Sequence, residues 1–363
     1  MILSKIVNHT LKFKVPAGTS RGTYIKKEVW YLKLWTEENP GIVGIGEVAP
    51  LKGLSIDDRE DLSDQINSVL EKVCKVNLKN YLIENKAINS DRVYHLVNEV
   101  CPKDLPSLRF ALETALLDLI NGGQKIIFPG TFARGEYAIP INGLIWMGDQ
   151  QYMMEQLKTK LDAGFDTIKI KVGAIDFDEE CSLLEYIRSQ YSVEEICIRL
   201  DANGAFTTDN VYERLNSLSK YDVHSIEQPI RQGQRELMKE LCKTSPIRIA
   251  LDEELIGVLD KKELLQFIKP SFIILKPTLH GGLSGSAEWI KSAEEQGIGW
   301  WITSALESNI GLNAIAQFSS QYNLKMPQGL GTGQLFTNNI QSALEIKEGK
   351  LHYNQSLQWG NPN

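Results

Sequence analysis

In the segment TIKIKVG, Lys169 and Lys171 stand two residues apart among β-branched and apolar neighbours. Residues i and i+2 of a strand face the same side, so the two ammonium groups share one environment while Ile168, Ile170 and Val172 face the other. In an interior position, mutual repulsion and partial desolvation lower a lysine pKa towards what a general base needs near neutral pH. Alone, a Lys-x-Lys pair reads as two solvated side chains, because lysine is rarely buried without a partner. Three acids alter that balance. Asp201 ends IRLDANG, Glu227 ends HSIEQP and Asp252 ends RIALDEE, at intervals of 26 and 25 residues, each after an apolar run. Each has a plain local explanation, since Asp-Ala-Asn-Gly makes good turns and Asp-Glu-Glu can open a helix; the recurrence at one βα interval is what those explanations miss. Three carboxylates converging on one place repel one another unless a cation holds them, and an all-oxygen set suits Mg²⁺ first and Mn²⁺ second. One apolar run later, FIILKPTLHGG places Lys276 at a comparable position, with Pro277 enforcing an extended backbone before it. A substrate held by the cation would meet a lysine on either side, which suits proton transfer at carbon.

The elements that must position these residues are legible as a rhythm. From about residue 138, short apolar runs alternate with amphipathic stretches, the pattern of repeated βα units. Candidate strands are 138–146, 167–172, 195–200, 225–228, 248–251, 272–275, 299–303 and a weak eighth before Gly329. Helical stripes lie between them in MEQLKTKLDAG, ECSLLEYIRSQ, VYERLNSLSKY, RELMKELCKT and SAEWIKSAEEQG. Eight strands favour a closed (β/α)₈ barrel, whose catalytic face gathers the carboxyl ends of the strands. No glycine-rich loop after a first strand supports the alternative, a doubly wound sheet. Residues 1–130 read as a separate α+β module, with strands at 11–15, 29–35 and 42–48 and helices near 57–75, 91–99 and 107–120. Its PAGTSRGTY and APLKGLS segments read as ordinary turns or as loops over the site, which makes Arg21 and Leu51 candidate substrate contacts.

The whole chain has 363 residues, more than the roughly 250 of a plain barrel, which leaves room for that module. Its 42% hydrophobic and 23% charged residues are ordinary for a globular protein, and no apolar run approaches the ~18 residues of a membrane span. The opening MILSKIVNHTLKFKV alternates like a strand and lacks a signal-peptide core, so a cytoplasmic location is expected. A net charge of −7 disfavours nucleic acid as a partner, and the five scattered cysteines, without CxxC spacing, disfavour a disulfide framework or a zinc site. A small carboxylate is the expected partner; a homo-oligomer stays open.

The order KIK, DAN, IEQP, LDEE and LKP resembles the enolase superfamily, within it the muconate lactonizing enzyme subgroup. GIGEVAP at 44–50 resembles that family's capping-domain signature, and SLRFALETALLDL resembles the helix preceding its barrel. The resemblance implies an α/β fold, a modified (β/α)₈ TIM barrel (131–335) under an N-terminal α+β capping domain (1–130), with residues 336–363 returning to the cap. It implies that Asp201, Glu227 and Asp252 bind Mg²⁺, with Lys171 as acid/base and Lys276 as its counterpart; Lys169 joins them as a catalytic candidate. Asn203 and Arg199 share the strand parity of Asp201 and are candidate supports for the acids. PINGLIW, TSALESNIGL and QGLGTGQLF are most similar to the o-succinylbenzoate synthase family of menaquinone biosynthesis. That similarity implies a dehydratase acting on a succinyl-bearing cyclohexadiene carboxylate, with Asn142, Ser304, Ser308, Gly331 and Thr332 as substrate-binding candidates. The subgroup's dipeptide epimerases carry an Asp-x-Asp pair near the eighth strand; Gly331-Thr332-Gly333 stands here instead. An N-acylamino acid racemase, using both lysines, is the alternative on the same fold. A catalytically silent barrel that only binds is the alternative of another class, disfavoured because clustering ionisable groups is costly.

Overall fold

The computed structural model describes residues 1–19, 22–77, 90–146, 148–173 and 175–362. Three antiparallel strands open the chain: β1 (Ile2–Thr19), β2 (Gly22–Thr36) and β3 (Asn39–Val48). They are longer than their apolar cores suggest, because the β1–β2 pairing continues beyond a register shift between Lys12 and Ala17. Helices α1 (Leu62–Cys74) and α3 (Pro106–Ile120) pack on this sheet, and α2 (Ser90–Val100) packs against both. The glycines of GIGEVAP have a steric cause. A Cβ on Gly46 would lie 1.9 Å from the Ala111 carbonyl oxygen and one on Gly44 2.0 Å from that of Ala115, so only glycine lets β3 lie this close to α3. Helix α3 is buried along almost its whole length, which fits its apolar sequence.

After β4 (Ile139–Pro140), strands β5 (Gly143–Ile145), β6 (Thr167–Lys171), β7 (Cys197–Asp201), β8 (Ser225–Glu227), β9 (Ile249–Leu251), β10 (Phe272–Leu275) and β11 (Gly299–Ile302) follow; β5 to β11 form one parallel sheet in sequential order. Helices α4 (Gln150–Asp162), α5 (Phe177–Gln190), α6 (Val211–Leu218), α7 (Arg235–Thr244), α8 (Lys261–Ile268) and α9 (Gly282–Glu294) connect successive strands. Helix α10 (Asn309–Ser319) follows β11. The eighth strand expected before Gly329 is reduced to isolated bridges, Ile141 to Gln328 and Thr303 to Gly329. Pro327 has no N–H to give a ladder, yet Gln328 donates to Pro140, Asn142 donates to Gln328, and Gly329 donates to Ile302. These bonds close the barrel between its first and last staves. Ile168 and Ile170 are buried against the helical layer while Lys169 and Lys171 face inwards, as alternation requires.

The last strands, β12 (Leu344–Lys347) and β13 (Lys350–Tyr353), pair with each other, and β13 also pairs with β4. Around them the chain also touches the first sheet: Asn338 bonds to His9 and Lys12, and Lys33 donates to the Pro362 carbonyl. A second apolar cluster joins the two halves, with Val29, Tyr31, Ile45 and Leu51 on one side and Leu279, Ala305, Leu306 and Ile310 on the other. The five cysteines carry free thiols, and among the described residues no helix is long and apolar enough to cross a membrane.

Candidate active site

Parallel pairing in register puts the candidate residues on one rim. Lys171 pairs with Asp201 and Asp201 with Glu227 across neighbouring strands, and Asp252 follows β9 directly. All three acids are buried, at 1%, 2% and 0% exposure for Asp201, Glu227 and Asp252, so each needs a partner. Lys169 Nζ donates to Glu227 Oε2 at 2.5 Å and lies 2.8 Å from Asp201 Oδ2; Lys171 Nζ donates to Asp201 Oδ2 at 2.9 Å and to Asn203 Oδ1 at 2.6 Å. Lys276 Nζ donates to Asp252 Oδ2. Lys171 and Lys276 thus stand on strands at opposite sides of a cavity that both line.

The lowered pKa expected from crowding on the lysine strand is reversed at Lys169. Burial lowers the pKa of Lys169, but the Asp201 and Glu227 carboxylates outweigh it and the net shift is upwards; Lys276 behaves likewise beside Asp252 and Glu227. Burial also works against charge on Asp201, yet the ammonium groups of Lys169 and Lys171 hold it well below the usual carboxylate range. Glu227 is pushed up, by burial and then by the nearby Asp201. Sequence alone could not weigh acids against ammonium groups, because it fixes the face of each side chain and not the distances.

The acids fit a hard cation by their chemistry. Glu227 Oε1 and Asp252 Oδ1 are buried oxygens without a hydrogen-bond partner, and the donor set is oxygen only. As placed, no three His, Cys, Asp or Glu side chains among the described residues stand close enough to share an ion. Lysine ammonium groups are paired with these acids.

Around this centre, Asn203 does what its parity suggests. Its backbone N–H donates to Asp201 Oδ1 at 3.0 Å, its Oδ1 receives Lys171 and its Nδ2 donates to Glu253 Oε1 at 3.0 Å. Arg199 does not: its guanidinium sits 4.2 Å over the Trp301 ring centroid and donates to the Pro327 carbonyl at 2.8 Å. Parity assigns a face but not a depth, and Arg199 lies two residues, roughly 6.6 Å, below Asp201 on the barrel floor. Asn142, Leu51, Ser304, Gly331 and Thr332 line the cavity, with Ser304 and Thr332 hydroxyls 2.5 Å apart. Ser308 faces elsewhere. It begins α10, its Oγ accepts from Ile310, and both its N–H and its hydroxyl donate to Glu47 of the cap at 2.8 and 2.6 Å. Arg21 lies outside the described residues.

Several residues were missed. Trp146 lines the cavity with its ring centroid 5.9 Å from Lys171 Nζ, and it shares strand parity with Asn142, which could have revealed it. Gln228, at φ 40°, accepts from the N–H groups of Asp252 and Glu254, both at 3.2 Å, and so ties the ends of β8 and β9 together. Leu306 lines the cavity at φ 63°, a left-handed turn that leucine gives no reason to expect.

A family model described as Enolase C-terminal domain-like matches residues 152–357, and the o-succinylbenzoate synthase of Desulfotalea psychrophila LSv54 is 46% identical over 94% of this chain and 96% of its own. The chain belongs to the enolase superfamily. The crystal structure of MenC from Desulfotalea psychrophila LSv54 matches this superfamily member with a TM-score of 0.86 at 41% identity, over 97% of this chain and 99% of that one. The L-Ala-D/L-Glu epimerase of Bacillus subtilis matches with a TM-score of 0.81 at 18% identity, over 99% and 97% of the two chains, a likeness of fold alone. The N-succinyl-L-Arg/Lys racemase of Bacillus cereus is 23% identical over 94% of this chain and 88% of its own. The superfamily's barrel and capping domain are therefore the architecture described above.

Proposed function

We propose that this enzyme is an o-succinylbenzoate synthase, a carbon–oxygen lyase that dehydrates 2-succinyl-6-hydroxy-2,4-cyclohexadiene-1-carboxylate to 2-succinylbenzoate in menaquinone biosynthesis in the cytoplasm. The observation that carries it is the 46% identity over 94% of the chain to a synthase of that name. Asp201, Glu227 and Asp252 are the residues that would hold Mg²⁺, which supplies positive charge beside the substrate carboxylate. Lys171 takes the proton from the carbon bearing that carboxylate, and its own position is fixed by Asn203 and Asp201. The same ammonium group then gives its proton to the departing hydroxyl on the same face, so one C–H and one C–O bond break and water leaves. Aromatisation of the ring makes that second step favourable. Lys276 stays protonated across the cavity as a cation beside the charge-bearing ring.

N-acylamino acid racemisation is the second reading, favoured by the pair of lysines on opposite sides of one cavity. The two readings ask different things of Lys276. Racemisation needs it to exchange a proton with carbon, whereas syn dehydration needs only its charge. Lys276→Arg keeps the charge and cannot deprotonate at working pH. The expected result is a wild type that prefers the cyclohexadiene substrate in kcat/KM, and a variant that keeps measurable synthase activity while losing α-proton exchange with N-succinylamino acids in D₂O. A wild type that prefers N-succinylamino acids would make racemisation the main activity.

A further inference from the structure

The cap sends a charged side chain into the apolar contact between the two halves of the molecule. Lys27 shares its face of β2 with Val29 and Tyr31, is only 6% exposed, and donates from Nζ to the carbonyl oxygen of Ala305 at 2.6 Å. Burial works against its charge, which Glu307, Glu47 and Asp57 nearby offset only in part. Val29 and Tyr31 already supply apolar contact there, so a buried ammonium group is a costly way of only gluing two domains.

What Lys27 holds is the turn that borders the active-site cavity. Ser304, Ala305 and Leu306 all line that cavity, and Leu306 is held in left-handed backbone at φ 63°. For a bulky residue this conformation is strained and persists where neighbours over-determine it. They do so here on both sides. Ala305 N–H donates to Glu307 Oε2 at 2.8 Å, Leu306 N–H donates to Ser304 Oγ at 3.2 Å, and the Ala305 carbonyl is taken by Lys27. The Glu307 carboxylate is itself fixed by Thr278 Oγ1 at 2.5 Å.

We propose that Lys27 is a positioning residue for substrate selection: through the Ala305 carbonyl it fixes the strained 304–306 turn, and thereby the place of the Leu306 side chain as a wall of the pocket. This rests on the synthase reading only for the choice of ligands. Removing the ammonium group frees Ala305 and lets Leu306 leave the left-handed region, which enlarges the pocket without touching the lysines or acids that do chemistry. Selection between acyl chains of different length should therefore weaken while proton transfer persists.

The test compares 2-succinylbenzoate with its homologue one methylene longer, 2-glutarylbenzoate, by calorimetry with Mg²⁺ present, alongside kcat and KM for the cyclohexadiene substrate. In Lys27→Met the affinity ratio of the short to the long ligand should fall by about tenfold, as loss of one charged hydrogen bond allows, with KM rising far more than kcat falls. Leu306→Gly should give the same change of ratio, and the double variant should give no more than either alone, because both act on one wall. Equal weakening of both ligands, or additive effects in the double variant, would reduce Lys27 to a domain contact and overturn the proposal. Should Lys27→Met not fold, Leu306→Ala decides against Leu306→Gly: the alanine must keep an intermediate ratio, and an unmoved ratio in both sinks the idea. A wild type that binds the two ligands selectively but turns over no cyclohexadiene substrate refutes the synthase reading and leaves this one standing.

Discussion

Of the buried carboxylates in this protein, those at the rim of the barrel and those at the seam between cap and barrel are satisfied in opposite ways. At the seam, Glu47 accepts from the N–H and hydroxyl of Ser308 and the N–H of Gly311, at 2.6–2.8 Å, and Glu113 accepts from the N–H groups of Leu283 and Ser284 and the Ser284 hydroxyl. Both carboxylate oxygens of each are used, and the hydrogen-bonding partners are neutral. At the rim, Asp201, Glu227 and Asp252 are bonded to lysine ammonium groups, and Glu227 and Asp252 each retain an unused buried oxygen. Acids saturated by neutral donors cap the first turns of α10 and α9 and fasten the domains. The rim acids, paired with lysine ammonium groups and with oxygen capacity to spare, are the ones proposed above to hold an ion. Burial alone does not separate the two kinds; the partner does.

The sharpest way to break this contrast is Lys171→Ala. If the rim is the chemical centre, kcat falls by about 10³-fold or more while circular dichroism and Mg²⁺ affinity stay as in the wild type. Near-normal turnover would remove the rim from the mechanism. Next in size, Glu227→Gln and Asp252→Asn should each weaken Mg²⁺ binding by about 100-fold in calorimetry, chelators should stop activity and Mg²⁺ should restore it. Glu47→Gln, an acid of the seam, should leave Mg²⁺ affinity alone. Equal effects from both places would erase the distinction.

The smallest effect tests the seam through pH. Burial pushes Glu113 up to about 7 from 4.5, against the hydrogen bonds of Ser284 and Leu283. A carboxyl that binds its proton more tightly when folded contributes stability fully below about 4.5, and loses it as pH rises through about 7. Glu113→Gln mimics the protonated form, with its oxygen towards the Leu283 and Ser284 N–H groups and its amide towards the Ser284 hydroxyl. The stability of the variant relative to wild type should therefore rise between pH 5 and pH 8, by on the order of 2 kcal/mol, as read from urea unfolding at each pH. A difference that does not change with pH would mean that Glu113 does not titrate in this window.

The sequence by itself determined the barrel rhythm, the all-oxygen set at Asp201, Glu227 and Asp252, and the inward face of Lys169 and Lys171, because strand alternation and the βα repeat are local rules. It also carried the family, since the motifs that carry the resemblance are short and sit at strand ends. Tertiary structure decided what depends on distance and depth. Arg199 has the right parity and lies on the floor; Ser308 has the right neighbours and serves Glu47, two hundred and sixty-one residues away in sequence. The eighth stave loses its ladder because Pro327 lacks a donor, while bonds from both neighbouring staves still close the barrel around Gln328 and Gly329. The sign of the lysine pKa shifts is of the same kind. Two ammonium groups on one strand repel, but three acids from three other places in the chain outweigh that repulsion, and Coulomb energy depends on separations in space that no spacing in sequence contains.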